Sequence, residues 1–218
     1  MNEIQLIKDE LALLSIHPEK GWVRRRENMG YALMTAALCD LALMGKLQVI
    51  QGKINATSTV IGDPLIDELA IRLNKLNGRK LWWFISGRTL GASATYRKQM
   101  RLLETKRMIN STPVEWLGIT LGRRYRVNHK YNTSTLINRL ERVLIYGRVP
   151  DLRLRVLIEL LVVLDMIGVF FSQGELRKRA KQRGKEICKH GFSESDETFV
   201  TIFKELRAVL KVAGSHNP

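Results

Sequence analysis

One stretch limits what this chain can fold into more than any other. It is Tyr31 to Val49, YALMTAALCDLALMGKLQV, where apolar helix-compatible residues run to a glycine and straight into a strand-like segment. Leu33, Ala37, Leu41 and Met44 fall on one helical face, and Met34, Ala36, Leu38, Ala42 and Leu43 cover most of the remainder, leaving Asp40 and Thr35 to look outward. A helix apolar nearly all round is a buried one. Gly45 supplies the left-handed backbone that closes a helix, and Lys46 to Ile50 alternates with the period of a strand. The expected unit is a central helix feeding a small hairpin.

A second apolar run, Val156 to Phe171, contains Glu159 and Asp165 and falls short of the roughly 20 residues a membrane span needs, so it predicts a second core helix. Before the first run, Glu3 to Ser15 reads as an amphipathic helix with Ile4, Leu6, Ile7, Leu11 and Leu14 on its apolar side, stopped by His17-Pro18. After it, Lys46 to Ile50 and Lys53 to Val60 form a hairpin around Gln51-Gly52, and Asp63-Pro64 caps and opens a helix over Leu65 to Leu76. Asn77-Gly78, Gly87 and Gly91 break the chain on either side of the aromatic patch Trp82-Trp83-Phe84, which reads as core.

A helix around Ala94 to Lys106 leads into a second hairpin, with arms near Met108 and Leu121 to Val127 and with Pro113 to Leu117 near the tip. Further helices are expected over Thr133 to Leu144, after the cap Asp151, through the basic segment Glu175 to Lys189, and from Ser195 to Val212. The fold class is therefore mainly α, a single domain over residues 1–218 with two small β-hairpins attached to the ends of core helices.

Charge narrows the partners. The 218 residues hold 36 Lys and Arg against 21 acidic residues, a formal net charge of +15, so a polyanion such as nucleic acid or an acidic membrane surface is the expected neighbour. Two cysteines, Cys39 and Cys188, make no disulfide framework and fit a reducing compartment. The start, MNEIQLIKDELALL, lacks the features of a signal peptide, so the sequons at Asn55, Asn110 and Asn132 carry no weight.

Nothing argues for an enzyme or for a cofactor. His17, His129, His190 and His216 lie in separate turns or tails without metal-ligand spacing, and there is no phosphate-cradling glycine loop or nucleophile elbow. The carboxylate pairs Asp9-Glu10 and Asp67-Glu68 read as solvated surface or capping groups, because adjacent helical residues point in different directions.

Binding features remain. Arg24, Arg25 and Arg26 abut Trp22, a combination suited to an interface where guanidinium groups take phosphates and an indole sits at headgroup level. Arg97, Lys98 and Arg101 lie together on the helix before the second hairpin, and at least part of that cluster shares a face. The strongest basic run spans Arg177 to Lys189. Hairpin tips are normally polar, so Val114, Trp116 and Leu117 there point to insertion into a membrane interface or burial against a partner.

Taken together, Leu11-Ala12-Leu13-Leu14 with Pro18-Glu19-Lys20-Gly21, Asp40-Leu41-Ala42-Leu43-Met44-Gly45-Lys46-Leu47, and Gly62-Asp63-Pro64-Leu65-Ile66-Asp67-Glu68 resemble the Golgi phosphoprotein 3 family in order and spacing. The resemblance continues through Leu103 to Ile109 and Val156 to Phe170, and the chain looks like a short, prokaryote-like member. It implies a four-helix core ringed by amphipathic helices, a basic membrane-facing side and an apolar β-loop that enters the bilayer. Eukaryotic members bind phosphatidylinositol 4-phosphate and help retain glycosylation enzymes. Their headgroup pocket, a tryptophan and three arginines, aligns with Arg25 or Arg26, Met34, Ser93 and Tyr96, so those residue types are not matched here.

The expectation is a cytoplasmic, peripherally membrane-associated, non-enzymatic protein. It would bind anionic phospholipid through Trp22, Arg24, Arg25, Arg26, Arg97, Lys98 and Arg101, insert Val114, Trp116 and Leu117, and serve as an adaptor for a membrane enzyme. Two alternatives come from other classes. One is a nucleic-acid-binding module with winged-helix-like hairpins, disfavoured because no recognition helix carries a clean row of base-reading residues. The other is an oligomeric scaffold that self-associates through the hairpin tip.

Overall fold

The computed structural model describes residues 6–86, 91–117, 119–131, 133–193 and 196–214. The expected helical start at Glu3 and Ile4, the break at Gly87, the sequon residue Asn132, the helix start at Ser195 and the histidine at 216 lie outside these residues. The fold is mainly α. Helix α2 (Arg26–Leu43) is the central element, surrounded by α1 (Ile7–Ser15), α3 (Pro64–Lys75), α5 (Ala92–Thr105), α7 (Leu152–Val163) and α9 (Glu197–Gly214). It closes as expected at Gly45, with φ +67°, and passes into the antiparallel pair β1 (Leu47–Ile50) and β2 (Lys53–Ala56), in which Leu47 faces Ala56.

Two expectations about this helix are corrected. It begins at Arg26, so the last arginine of the triplet is helical. Asp40 and Thr35 do not look outward: Asp40 is 1% exposed and Thr35 fully buried. With helices on every side there is no outward direction left. Asp40 instead accepts hydrogen bonds from the backbone N–H groups of Ile7 (2.9 Å) and Lys8 (3.2 Å), satisfying the amides that the first turn of α1 leaves unpaired.

Helix α1 is buried all round rather than amphipathic, and the Asp9-Glu10 pair is buried rather than solvated. The ammonium of Lys8 donates to Asp9 (2.8 Å), Asp63 (2.9 Å) and Gln99 (3.1 Å), and Lys106 joins the same two carboxylates at 3.0 and 2.9 Å. Glu10 pairs with Arg153 at 3.0 Å. Buried charges persist only when paired and hydrogen-bonded, and here every one is. Asp63 also caps α3 as predicted, accepting from the N–H groups of Leu65 and Ile66.

The second apolar run is not one helix. Helix α7, capped by Asp151 through Leu154 N–H at 2.7 Å, ends at Val163, and a separate 3-10 turn covers Ile167–Phe170. Between them Asp165 takes a left-handed φ of +51°, which breaks the α-helical path. The aromatic patch forms the short helix α4 (Trp82–Ile85). Phe84 and Ile85 are in the core, Trp82 packs against it, and Trp83 is about half exposed. The second hairpin pairs β3 (Ile109–Trp116) with β4 (Ile119–Val127), and α6 (Ser134–Leu144) and α8 (Gly174–His190) complete the description.

Candidate anion-binding pocket and apolar hairpin tip

Three elements converge on one pocket: the start of α2, the outer face of α5 and the strand β4. Their approach is set by small residues. Gly30 in α2 meets Ala92 at the start of α5 so closely that a Cβ on residue 30 would lie 1.9 Å from the Ala92 carbonyl oxygen. Gly21, at φ +70°, accepts a 2.7 Å hydrogen bond from Tyr125 N–H of β4, and a Cβ there would sit 2.8 Å from the Tyr125 carbonyl oxygen. The segment leading into α2 is thereby pinned to the hairpin.

The arginine triplet straddles a turn and a helix start, so its members diverge. Arg24 turns inward and donates to the carbonyl oxygens of Leu14 (3.5 Å) and Ile16 (3.3 Å), and its burial pulls its pKa below the usual guanidinium range. Arg25, in a left-handed conformation with φ +50°, is exposed and pairs with Asp165 at 3.1 Å. Arg26 extends over the ring of Tyr96, 5.8 Å from its centroid, and lines the pocket. Trp22 is half exposed and packs against His17 with ring centroids 5.3 Å apart, outside the pocket lining.

The second cluster also splits. Arg97 and Arg101, four residues apart, share the outer face of α5 and line the pocket. Lys98 points to the other side, where it donates to the Pro64 carbonyl oxygen at 2.8 Å and pairs with Glu68. Glu68 also holds Arg72 at 2.6 Å, and these cations, led by Lys98, lower its pKa. Its neighbour Asp67 accepts from the N–H groups of Ile61 and Gly62.

The pocket has a volume of about 310 Å³ and brings together Arg26, Arg97, Arg101 and Arg123 around a floor of Tyr96 and Met100. Arg123 lies opposite Pro113 in the hairpin register and donates to Ser111 Oγ at 2.7 Å. Glu104, 3.5 Å from Arg123, is the one acid in the lining among the described residues. Burial, then the neighbouring hydrogen-bonded Tyr125, raises the pKa of Tyr96 well beyond the usual phenol range, so its hydroxyl stays neutral. Four guanidiniums against one carboxylate leave a site whose unmet demand is for anionic oxygen acceptors.

The same strand carries the pocket to the apolar tip. Trp116 and Leu117 are 64% and 80% exposed, and Ile119 and Leu121 on the returning strand are each 62% exposed, while Val114 is half-buried. Leu121 lines the pocket as well. Pro113 to Trp116 thus belongs to a paired strand and supplies only half of the apolar surface. The sequence alone does not mark Arg123, Ile119 and Leu121, because strand pairing decides which residues of the return arm stand beside the tip and the pocket. The available signal was the alternation in Arg123-Arg124-Tyr125-Arg126, which places Arg123 and Tyr125 on one side of the strand, whereas Leu121 sits at a register shift where it has no partner on the facing strand.

Among the described residues no group of His, Cys, Asp and Glu could hold a metal ion, and no helix is long and apolar enough to cross a membrane. The model of one protein family, Golgi phosphoprotein 3 (GPP34), matches residues 7–202. No curated protein matches the chain.

Proposed function

Since this chain belongs to the Golgi phosphoprotein 3 family, we propose that it is a non-enzymatic peripheral membrane protein that grips an anionic phospholipid headgroup in the arginine pocket and buries the adjoining hairpin tip in the bilayer interface. The observation that carries this reading is the junction at Leu121, where a pocket of four arginines opens directly beside four exposed large apolar residues. Arginine forks suit phosphate oxygens, and an indole with aliphatic neighbours suits the depth just below them.

The pocket that takes the headgroup is Arg26, Arg97, Arg101 and Arg123. Arg24 and Lys98 have their charges engaged within the fold, and Arg25 and Trp22 flank the docking face. Each basic group held near an anionic surface contributes roughly 1 kcal/mol, and one well-buried large apolar side chain adds about 1.5–3 kcal/mol, so pocket and tip together suffice for reversible docking. A phosphoinositide-type headgroup fits the multiple guanidiniums best, and a membrane enzyme is the partner this reading gives the protein as an adaptor.

Co-sedimentation with vesicles tests the reading. The protein should pellet with phosphatidylcholine vesicles containing a phosphoinositide and stay free of phosphatidylcholine alone, and Arg97→Ala with Arg101→Ala should weaken binding by roughly thirtyfold. Equal binding of wild type and variant would remove the pocket from the account.

A further inference from the structure

The strongest basic run of the sequence, Arg177 to Lys189, is not a uniformly charged cylinder. Ala180, Gly184 and Ile187 bury one side of α8, and Arg177 folds back to donate to the Phe171 carbonyl oxygen at 3.3 Å. Arg183 and Gln182 both bond Glu186. Apart from exposed Arg179, what remains is a row: Lys178, paired with Glu175 at 3.0 Å, then Lys181, Lys185 and Lys189, at steps of three, four and four residues, lining one shallow surface with Glu186 and Gln182. Such steps place successive side chains side by side, so the row runs for about 16 Å along the helix.

The row is built against the fold. At Gly168 the 3-10 turn lies so close beneath α8 that a Cβ would sit 2.6 Å from Lys181 Cε and 3.1 Å from Arg177 Cγ. Lys181 then reaches Asp165 at 2.9 Å, and the other oxygen of that carboxylate holds Arg25 at 3.1 Å. Arg25 is bonded in sequence to Arg26, a wall of the pocket. Asp165 thus joins Lys181 of the row to Arg25, the residue before a pocket arginine in sequence. Like charges at these spacings repel, and Lys185 and Lys189 are exposed with no acidic partner within ion-pair distance among the described residues.

We infer that the α8 lysine row is a second membrane contact, which lies on anionic phospholipid headgroups while the arginine pocket and hairpin tip engage their own. This rests on the membrane-docking reading of the pocket. Lysines are hydrated point charges that accept any anionic headgroup, whereas the pocket's arginines select one by geometry. The row therefore responds to the bulk anionic lipid of the surface, and the pocket to a particular headgroup. The apolar tip beside the pocket favours a bilayer over nucleic acid, which has no interior for that tip to enter.

The test compares three proteins on vesicles of phosphatidylcholine alone and of phosphatidylcholine with phosphatidylserine. They are the wild type, a row variant with Lys178→Gln, Lys185→Gln and Lys189→Gln, and a pocket variant with Arg97→Ala and Arg101→Ala. The row variant should unfold at the wild-type temperature and bind phosphatidylserine vesicles about a hundredfold more weakly, with a shallower salt dependence. Changing the same three lysines to arginine should restore binding. If the row variant binds like wild type while the pocket variant is weakened, this inference is overturned and the pocket reading stands. If the row variant keeps vesicle binding but loses duplex DNA binding at physiological salt, the row is a nucleic-acid surface. If wild type binds neither vesicle, this inference falls, and the pocket reading is decided by the phosphoinositide vesicles instead.

Discussion

At the scale of single residues, the fold depends on acids that the interior has claimed. Asp40 illustrates this: burial, opposed by hydrogen bonds from Ile7 and Lys8 and by the charge of Arg153, pushes its pKa up from 3.8 to about 7. The folded state therefore holds this proton more tightly than the unfolded chain. The resulting stabilisation is fully present below about pH 4 and is lost as the pH rises through about 7. Replacing Asp40 by Asn keeps an oxygen for the α1 amides and removes the titration. The difference in unfolding free energy between wild type and Asp40→Asn should then drift against the wild type by about 4 kcal/mol between those limits. Urea denaturation of both proteins at several pH values measures it, and a pH-independent difference would contradict the assignment. None of this could be read from the chain in advance. The cap at Asp63 is local, because its acceptor meets amides two and three residues on. Lys8 meets Asp63 and Gln99 across 55 and 91 positions, and no periodicity reports such pairs.

Among the elements, what the sequence declares is apolar periodicity, and it declares α3 and α5 close to their true limits; α2 begins at Arg26 rather than Tyr31, and the second arm of the first hairpin ends at Ala56 rather than Val60. It misleads where backbone conformation overrides composition. Val156 to Phe171 reads as one helix because only Asp165, in a left-handed conformation, interrupts it, and a lone polar residue does not announce that. The tip at Pro113 to Leu117 was visible because tips are seldom apolar. Its other half was not, since register decides which residues of the return strand stand beside it. The approach of α2 to α5 is likewise a matter of contact. Gly30→Ala would drive a methyl group into the Ala92 carbonyl, and rigid backbone on both sides leaves the two helices to separate. We expect a loss of about 2–3 kcal/mol in stability together with weaker anion binding, because Arg26 and Arg97 ride on those helices. An unchanged denaturation midpoint would show that the contact is slack.

For the molecule as a whole, burial sharpens the charge imbalance. Asp9, Glu10, Asp40, Asp63 and Glu159 are withdrawn from the surface, and Lys8 is the one cation buried with them among the described residues. The surface is thus more basic than the formal +15 conveys. Asp165 pairs with Lys181 of the α8 row and with Arg25, and the neighbouring Arg26 lines the pocket that adjoins the apolar tip at Leu121. Long-range attraction falls off beyond about 8 Å at physiological salt, so the docking we propose has to end in contact at the pocket and the tip. The most direct measurement of that contact is quenching of tryptophan fluorescence by lipids brominated on their acyl chains, in vesicles with and without anionic phospholipid. Trp22 and Trp83 are about half exposed, so the comparison of wild type with Trp116→Phe isolates the tip. Quenching on anionic vesicles alone, lost in Trp116→Phe, is the result expected. Quenching that survives the substitution, or none in the wild type despite binding, would mean that the hairpin tip stays out of the bilayer.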